Sequence, residues 1–175
     1  MATTNGELAM TVSYICYDVT GRTAPEIRAA MNANPARPVD QGDKVDAFTR
    51  WESRLNWSYS GASGMCVATS VAPTLAITFT FPRWVLSPNP SPGTIQQWGT
   101  YLDALQLHEG GHQQNGIDAT SDAVGRVKAV GTASCAEFNA AASQVMQAAL
   151  KVGNEADTRY DAATRHGATQ GAVFP

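Results

Sequence analysis

The chain has 175 residues, of which 43% are hydrophobic and 15% charged, and its formal net charge is −3. This length suits one compact domain, and the hydrophobic fraction is typical of a folded core. The slightly acidic charge, without a lysine and arginine cluster, excludes the many phosphate contacts on which nucleic-acid binding depends. No apolar run approaches the roughly 20 residues that a transmembrane helix needs.

The first half of the chain predicts strands and one helix. Residues 11–19 are β-branched and aromatic, which predicts a strand buried on both faces. Thr23, with Pro25 and Glu26 behind it, is typical of a capped helix start. Residues 49–59 and 66–81 alternate apolar and polar side chains, and segment 60–64 predicts a hairpin between them.

The second half predicts two long helices. From residue 94 the apolar positions recur at spacings of three and four, which indicates a helix to about residue 130. A break at residues 131–134 precedes a second helix that runs to about residue 164. The predicted fold class is therefore α+β: a small antiparallel sheet with one N-terminal helix and a hairpin of two long C-terminal helices.

The segment His108-Glu109-Gly110-Gly111-His112 carries the clearest chemical signal. Histidines four residues apart lie on one helix face and can bind one metal ion. The glutamate beside them can take a proton from a water on that metal, which is the general-base role in metal-dependent hydrolysis. We therefore expect zinc at His108 and His112, with Glu109 as the catalytic base.

The third zinc ligand is open at this level. If the helices fold back about residues 132–133, His108 and His112 lie opposite roughly positions 157 and 153, which brings Glu155 and Asp157 to the metal. His166 overshoots by about ten residues in that register. It can ligate only if the helix ends near Ala163 and the chain doubles back at Gly167.

Six short motifs are distributed along the whole chain. They are Asp18-Val-Thr-Gly-Arg-Thr, Arg50-Trp-Glu, Phe81-Pro-Arg-Trp, Tyr101-x-x-Ala-Leu, His108-Glu-x-Gly-His and Tyr160-Asp-x-x-Thr-x-His-Gly-Ala-Thr-Gln-Gly. Together they resemble one bacterial family, that of predicted secreted zinc-dependent proteases, first described as a domain of unknown function. The similarity covers about residues 11–175, and it implies an exported zinc protein of zincin-like fold. The resemblance also favours His166 as third ligand, with Asp161 orienting a ligand or the tail and Tyr160 donating to the oxyanion.

Three cysteines permit one disulfide. Cys66 follows a Gly/Ser turn and Cys135 opens a helix, so we expect these two to pair, with Cys16 packed as a small buried hydrophobe. No signal peptide is visible; either the protein is cytoplasmic, or a signal was removed and Met1 is vector-derived. The low charge suits a secreted or periplasmic protein.

The predicted function is a zinc-dependent metallopeptidase that acts on a peptide or protein substrate. Residues 11–175 would form its single metallohydrolase domain, after a disordered or vector-derived segment 1–10. The strand over residues 74–81 could pair with an extended substrate if it lies at a sheet edge; the alternative is an interior strand.

The alternative function is a non-catalytic, zinc-binding interaction protein of the cell envelope. Asp161, Glu155 or Asp157 remain alternative third ligands, and the oligomeric state stays open.

Overall fold

The structure is a computed structural model that describes residues 7–62, 64–85 and 89–175. Residues 1–6 of the predicted N-terminal segment and residue 63 of the predicted hairpin turn lie outside the described residues. The elements in chain order are β1 (Ala9–Val19), α1 (Ala24–Ala33), β2 (Val39–Asp40), β3 (Asp43–Lys44), β4 (Phe48–Ala62), β5 (Met65–Trp84), α2 (Pro92–Lys128), β6 (Gly131–Thr132), α3 (Cys135–Thr164) and a 3-10 helix, Ala168–Gln170. In α1, the predicted capping box between Thr23 and Glu26 is present.

The main sheet has the strand order β1-β5-β4, with β6 paired to β5. β6 runs antiparallel to β5, with Cys66 opposite Thr132. The partners Ser13 and Thr78, and also Asp18 and Arg83, are 65 residues apart, so β1 runs parallel to β5. In an antiparallel pair that separation would change along the strands. The predicted α+β class is confirmed, and its sheet is mixed instead of wholly antiparallel.

β1 is far more exposed than predicted. Only Tyr17 and Val19 are buried in it, and the strand lies at the end of the strand order with one neighbour in the described sheet. Cys16 is exposed, so the expectation that it packs in the core is wrong. β5 lies between β1 and β4, which makes the segment 74–81 an interior strand that no substrate can extend.

The chain forms two compact units, the first of Met1–Thr11, Trp51–Ile77 and Gln114–Thr158. Its core surrounds Phe138 and Val127, which are fully buried. Cys66 and Cys135 form a disulfide here, with their Cα atoms 5.1 Å apart, so the predicted pairing is confirmed. Among the described residues, no helix is long and apolar enough to cross a membrane.

The second unit consists of Val12–Arg50, Thr78–Gln113 and Arg159–Pro175. Its apolar core holds aromatic rings from three parts of the chain. The ring of Trp98, on α2, lies 5.2 Å from that of Phe174 and 6.0 Å from that of Trp84. This packing fixes the N-terminal half of α2, and the HExxH segment lies on the same helix.

Next to this core lies a charge cluster, which we define as Asp46 with Arg28, Arg37, Tyr17 and Tyr101. The carboxylate of Asp46 accepts from Arg28 at 2.9 Å, Arg37 at 2.7 Å and the Tyr101 hydroxyl at 2.6 Å. Tyr17 donates to the Asp46 carbonyl at 2.7 Å. Burial and the nearby carboxylate raise the pKa values of both tyrosines, so both stay protonated donors.

Candidate metal centre

His108 and His112 meet a carboxylate from α3 inside the second unit. Their imidazole rings lie 4.9 Å apart, and both residues are buried. Nε2 of His108 is 3.2 Å from Oδ1 of Asp161, and Nε2 of His112 is 3.1 Å from the same oxygen. The i, i+4 spacing on α2 therefore aims two nitrogen atoms at one point, as the sequence predicts.

The spacing of these three atoms suits one metal ion. The ligand atoms of His108, His112 and Asp161 all lie within 4.8 Å of one another. Metal–ligand bonds of about 2.0–2.1 Å in a tetrahedral site put neighbouring ligand atoms about 3.3 Å apart. The two nitrogen–oxygen distances match that value, and two imidazoles with a carboxylate are a donor set that zinc accepts.

The other side of the His108 ring is held by residues near the C-terminus. Its Nδ1 lies 3.1 Å from Oε1 of Gln170 and 3.4 Å from Oγ1 of Thr164. A hydrogen bond donated from Nδ1 to Gln170 leaves the lone pair on Nε2, which is the tautomer that a metal needs. The ring of Tyr160 stacks on His108 at 5.0 Å, and Gln170 donates to its hydroxyl at 3.0 Å.

The two glycines of the motif have different roles. A Cβ atom on Gly111 would overlap Cζ of Tyr160, so only glycine lets this ring reach the histidines. A Cβ atom on Gly110 would meet no atom within 4 Å. The close approach expected from these glycines therefore involves Gly111 and the protein's own Tyr160.

Glu109 is buried beside the histidines, and its partner comes from β4. Oγ1 of Thr49 donates to Oε2 of Glu109 at 2.6 Å. Burial raises the pKa of the Glu109 carboxyl, while the hydrogen bond from Thr49 and the nearby His112 and His108 oppose part of that rise. The carboxyl group is thus shifted toward the range in which it can both take and return a proton.

The pKa of Asp161 moves in the opposite direction. Burial alone would raise it, but hydrogen bonds with His108 and His112 and the nearby His166 lower it below its ordinary value. Asp161 therefore loses its proton at a lower pH than Glu109 does. Two neighbouring carboxyl groups with diverging pKa values suit one permanent ligand and one proton carrier.

His166 reaches the same oxygen by an unusual backbone path. α3 ends at Thr164, and the φ angles of Arg165, His166 and Gly167 are 53°, 50° and 81°, all left-handed. This is the chain reversal on which its predicted ligand role depends. Nδ1 of His166 lies 3.3 Å from Oδ1 of Asp161, and the side chain is 48% exposed. A second group of close ligand atoms consists of Asp40, Asp161 and His166.

The two acidic alternatives lie in the first unit. Asp157 accepts hydrogen bonds from Trp51 at 2.7 Å and Asn115 at 2.8 Å, and Glu155 is half exposed near Lys151. The expected register is wrong, because His112 meets Asp161, eight residues beyond position 153. The connection between the helices is no tight turn: β6 pairs with β5, and the disulfide fixes the start of α3.

Sequence reasoning missed Thr49 and the functional placement of Gln170. Thr49 is 60 residues from Glu109 along the chain, and a threonine at the start of a strand gives no signal of its contact. Gln170 and Thr164 do belong to the C-terminal motif that carries the family resemblance. That motif therefore contains Asp161 together with the residues that orient His108.

The fold and the site define an α+β protein with a buried HExxH cluster of metal-ligand type. The chain belongs to a bacterial family whose description is "Bacterial protein of unknown function (DUF922)", since the family model matches residues 14–167. No curated protein and no solved structure matches the chain.

Proposed function

We propose that this protein is a zinc-dependent metallopeptidase in which His108, His112 and Asp161 hold the zinc and Glu109 is the general base. The observation that carries the proposal is the meeting of both histidine Nε2 atoms with Oδ1 of Asp161 at 3.2 and 3.1 Å. Two histidines and one carboxylate are a ligand set of catalytic zinc, which keeps a further position for water.

Zinc bound there would lower the pKa of a water to about 7 and polarise the carbonyl group of a peptide bond. Glu109 receives the proton of the attacking water on its carboxylate and returns it to the leaving amine. Thr49 donates to Oε2 and so keeps the carboxylate in one orientation during both transfers. Gln170 and Thr164 hold the His108 ring with Nε2 toward Asp161.

His166 remains the competing third ligand. In the proposal its Nδ1, 3.3 Å from Oδ1 of Asp161, helps to hold that carboxylate. Mutation of a residue that holds a metal ligand in this way typically lowers metal affinity by about 10–100-fold. Tyr160, which the family resemblance names as an oxyanion donor, packs on His108 with its hydroxyl close to Gln170.

Metal analysis of purified protein tests the ligand set. We expect one zinc per chain in the wild type, loss in His108→Ala and Asp161→Asn, and a weaker but retained site in His166→Ala. Asp157→Asn is the matched control and should keep its zinc. Loss in His166→Ala with retention in Asp161→Asn would restore the three-histidine site; no zinc in any preparation, even when supplied, would overturn the proposal.

A peptidase also needs a substrate test. The zinc-loaded wild type should cleave bonds in a mixed peptide library, and a chelator followed by added zinc should abolish and restore the cleavage. Mass spectrometry of the fragments identifies each cleaved bond, whatever the specificity of the enzyme. Stoichiometric zinc with no cleavage of any library member would contradict catalysis.

A secreted or periplasmic location is part of the proposal. The Cys66–Cys135 disulfide supports it, since such bonds persist mainly in oxidising compartments. Fractionation of a bacterial host, with thiol labelling of each fraction, tests it. A cytoplasmic protein with three reduced cysteines would contradict this location.

The second candidate is a non-catalytic zinc protein of the cell envelope. Its support is the approach of His166 to Asp161, because a fourth protein ligand would close the site. Replacement of zinc by cobalt distinguishes the two functions by its visible spectrum. If the cobalt spectrum changes when a hydroxamate is added, the metal has an open coordination position, which favours the enzyme. A tetrahedral cobalt spectrum that does not change with the hydroxamate favours the structural site.

A further inference from the structure

Beside the HExxH turn, the second unit contains a cavity of about 600 Å³ that no step of the proposed chemistry uses. Its walls come from β1, the C-terminal end of β5 and one stripe of α2. Aromatic rings make up much of the lining: Tyr14, Phe79, Phe81, Trp84 and Trp98. Leu102 and Pro82 add further apolar surface, so the cavity offers an apolar interior to a ligand.

The α2 wall runs next to the catalytic glutamate. Leu102, Gln106, Gly110 and Gln113 form the stripe, and consecutive helix residues are turned by about 100°. Gly110 directly follows Glu109, and Gln113 directly follows His112. On this helix, Glu109 lies between the cavity stripe and the face that bears the two histidines. The cavity stripe therefore borders the side of α2 from which Glu109 projects.

Gly110 keeps the cavity open at this point. A Cβ atom there would meet nothing within 4 Å, in contrast to Gly111, where Tyr160 fills the space. Glycine in a helix interior has a cost of about 0.5–1 kcal/mol relative to alanine. Its presence at position 110 has no packing reason among the described residues, and open space toward a ligand supplies one.

The charges at the cavity indicate a neutral ligand. Among the described residues that line the cavity, Arg83 is the one charged residue, and its guanidinium binds both carboxylate oxygens of Asp18, at 2.6 and 3.0 Å. That pair balances its own charge and gives no net attraction to an ion. The amide groups of Gln106 and Gln113 can form hydrogen bonds with the main chain of a peptide. Tyr14 and Cys16 belong to β1, which lies at the end of the described strand order, where an extended peptide can pair with it.

We propose that this cavity is the specificity pocket of the enzyme and takes an uncharged aromatic or large aliphatic side chain of a peptide substrate. The inference rests on the proposed peptidase function, and it predicts which peptide residue is selected. Apolar burial in such a pocket discriminates by size, whereas a charged side chain would lose its hydration without gaining a partner.

Calorimetry with Glu109→Gln protein measures this selection without turnover. The probes are the peptides acetyl-Ala-Ala-Xaa-Ala-Ala-amide, with Phe, Leu, Ala, Lys or Glu at the central position. We expect the Phe and Leu peptides to bind at least about tenfold more tightly than the other three. Equal affinities, or tighter binding of the Lys or Glu peptide, would overturn the proposal.

Two cavity variants with matched controls locate the binding. Gly110→Leu should remove the preference, whereas Gly99→Leu, at another open glycine of α2, should retain it. Gln106→Phe fills the cavity from an exposed position and should also remove the preference, whereas Leu107→Phe, one residue away and 62% exposed, should not. Circular dichroism confirms that each variant is folded, and a preference that survives in folded Gln106→Phe would contradict the assignment.

Failure of this inference is distinct from failure of the peptidase function. Cleavage of the library without preference for Phe or Leu next to the cut would overturn the pocket and leave the peptidase intact. Selective binding of the Phe peptide without cleavage by the zinc-loaded wild type would support the pocket and count against the peptidase. Binding of dodecanoate, with no response to any peptide, would overturn the peptide ligand.

Discussion

The second unit contains two buried polar clusters, and each surrounds a carboxylate with groups of a different kind. In the charge cluster, the carboxylate of Asp46 is surrounded by donors: two guanidinium groups and the hydroxyl of Tyr101. In the metal centre, two imidazole nitrogens and one carboxylate oxygen, all capable of giving a lone pair, are aimed at each other within 4.8 Å. Donors around an acceptor form a closed structural unit, whereas converging lone pairs suit a cation.

The residues around the two clusters also differ. Asp46, in the loop before β4, ties together residues from α1, α2 and the loop that follows α1. Arg28 also lies over the rings of Tyr101 and Phe174. The metal centre has Glu109 beside it, a buried carboxyl group that accepts a hydrogen bond from Thr49 and lies near both histidines. A buried acid with a raised pKa next to converging ligands is typical of a functional site. This contrast favours a structural role for the charge cluster and supports the chemistry proposed for the candidate metal centre.

The largest expected effect is on catalysis. Glu109→Gln keeps the shape of the side chain but removes its proton-accepting carboxylate, so peptide cleavage should fall by at least about 100-fold. Zinc content should remain at the wild-type level. Initial cleavage rates and metal analysis measure the two quantities, with the exposed Glu137→Gln as control. Retained cleavage would mean that another group is the base.

Asp46→Asn should reduce stability and leave the candidate metal centre unchanged. It leaves two arginines without their full counter-charge in a half-buried setting, which should lower the free energy of unfolding by about 3 kcal/mol. Zinc binding by the folded protein should stay unchanged. Urea unfolding measures the loss, and Asp43→Asn, on exposed β3, is the control. A zinc loss as large as that of His108→Ala would break the distinction between the two clusters.

Gln170→Ala tests the outer support of the metal centre. Without Gln170, the nearer of the two groups at its Nδ1, His108 has a weaker preference for the tautomer with a lone pair on Nε2. Zinc affinity should fall by about 10–100-fold with little change in global stability. Competition with a chromophoric chelator gives the affinity, and Gln144→Ala, on α3 in the first unit, is the control. An unchanged affinity would exclude Gln170 from this supporting role.

The smallest effect separates the two glycines of the motif. Gly110→Ala should raise the free energy of unfolding by about 0.5–1 kcal/mol, since alanine favours the helix and meets no atom. Gly111→Ala should lower it and weaken zinc binding, because the new methyl group displaces Tyr160 from the histidines. Thermal unfolding with and without zinc compares the pair. Equal effects of the two substitutions would contradict the packing described for Tyr160.

Local patterns in the chain were sufficient for the elements and for half of the site. The spacing of His108 and His112 needs only the pitch of a helix, and their approach to one point follows from it. The capping box of Thr23 and Glu26 and the alternation in β4 and β5 are equally local. Even the chain reversal at Gly167 could be anticipated, because glycine adopts its left-handed backbone readily.

What the sequence could not determine depends on register and on strand order. Asp161, and not Glu155 or Asp157, meets His108 and His112. The connection from α2 to α3 contains β6 and leads to the disulfide, where the sequence analysis assumed a tight turn. β1 is mostly exposed and lies at the end of the described strand order, and its β-branched residues reveal neither fact. Thr49 reaches Glu109 across 60 residues. The sequence determined the helices, strands and the HExxH donors through short-range periodicity, whereas only long-range packing decided which carboxylate completes the site.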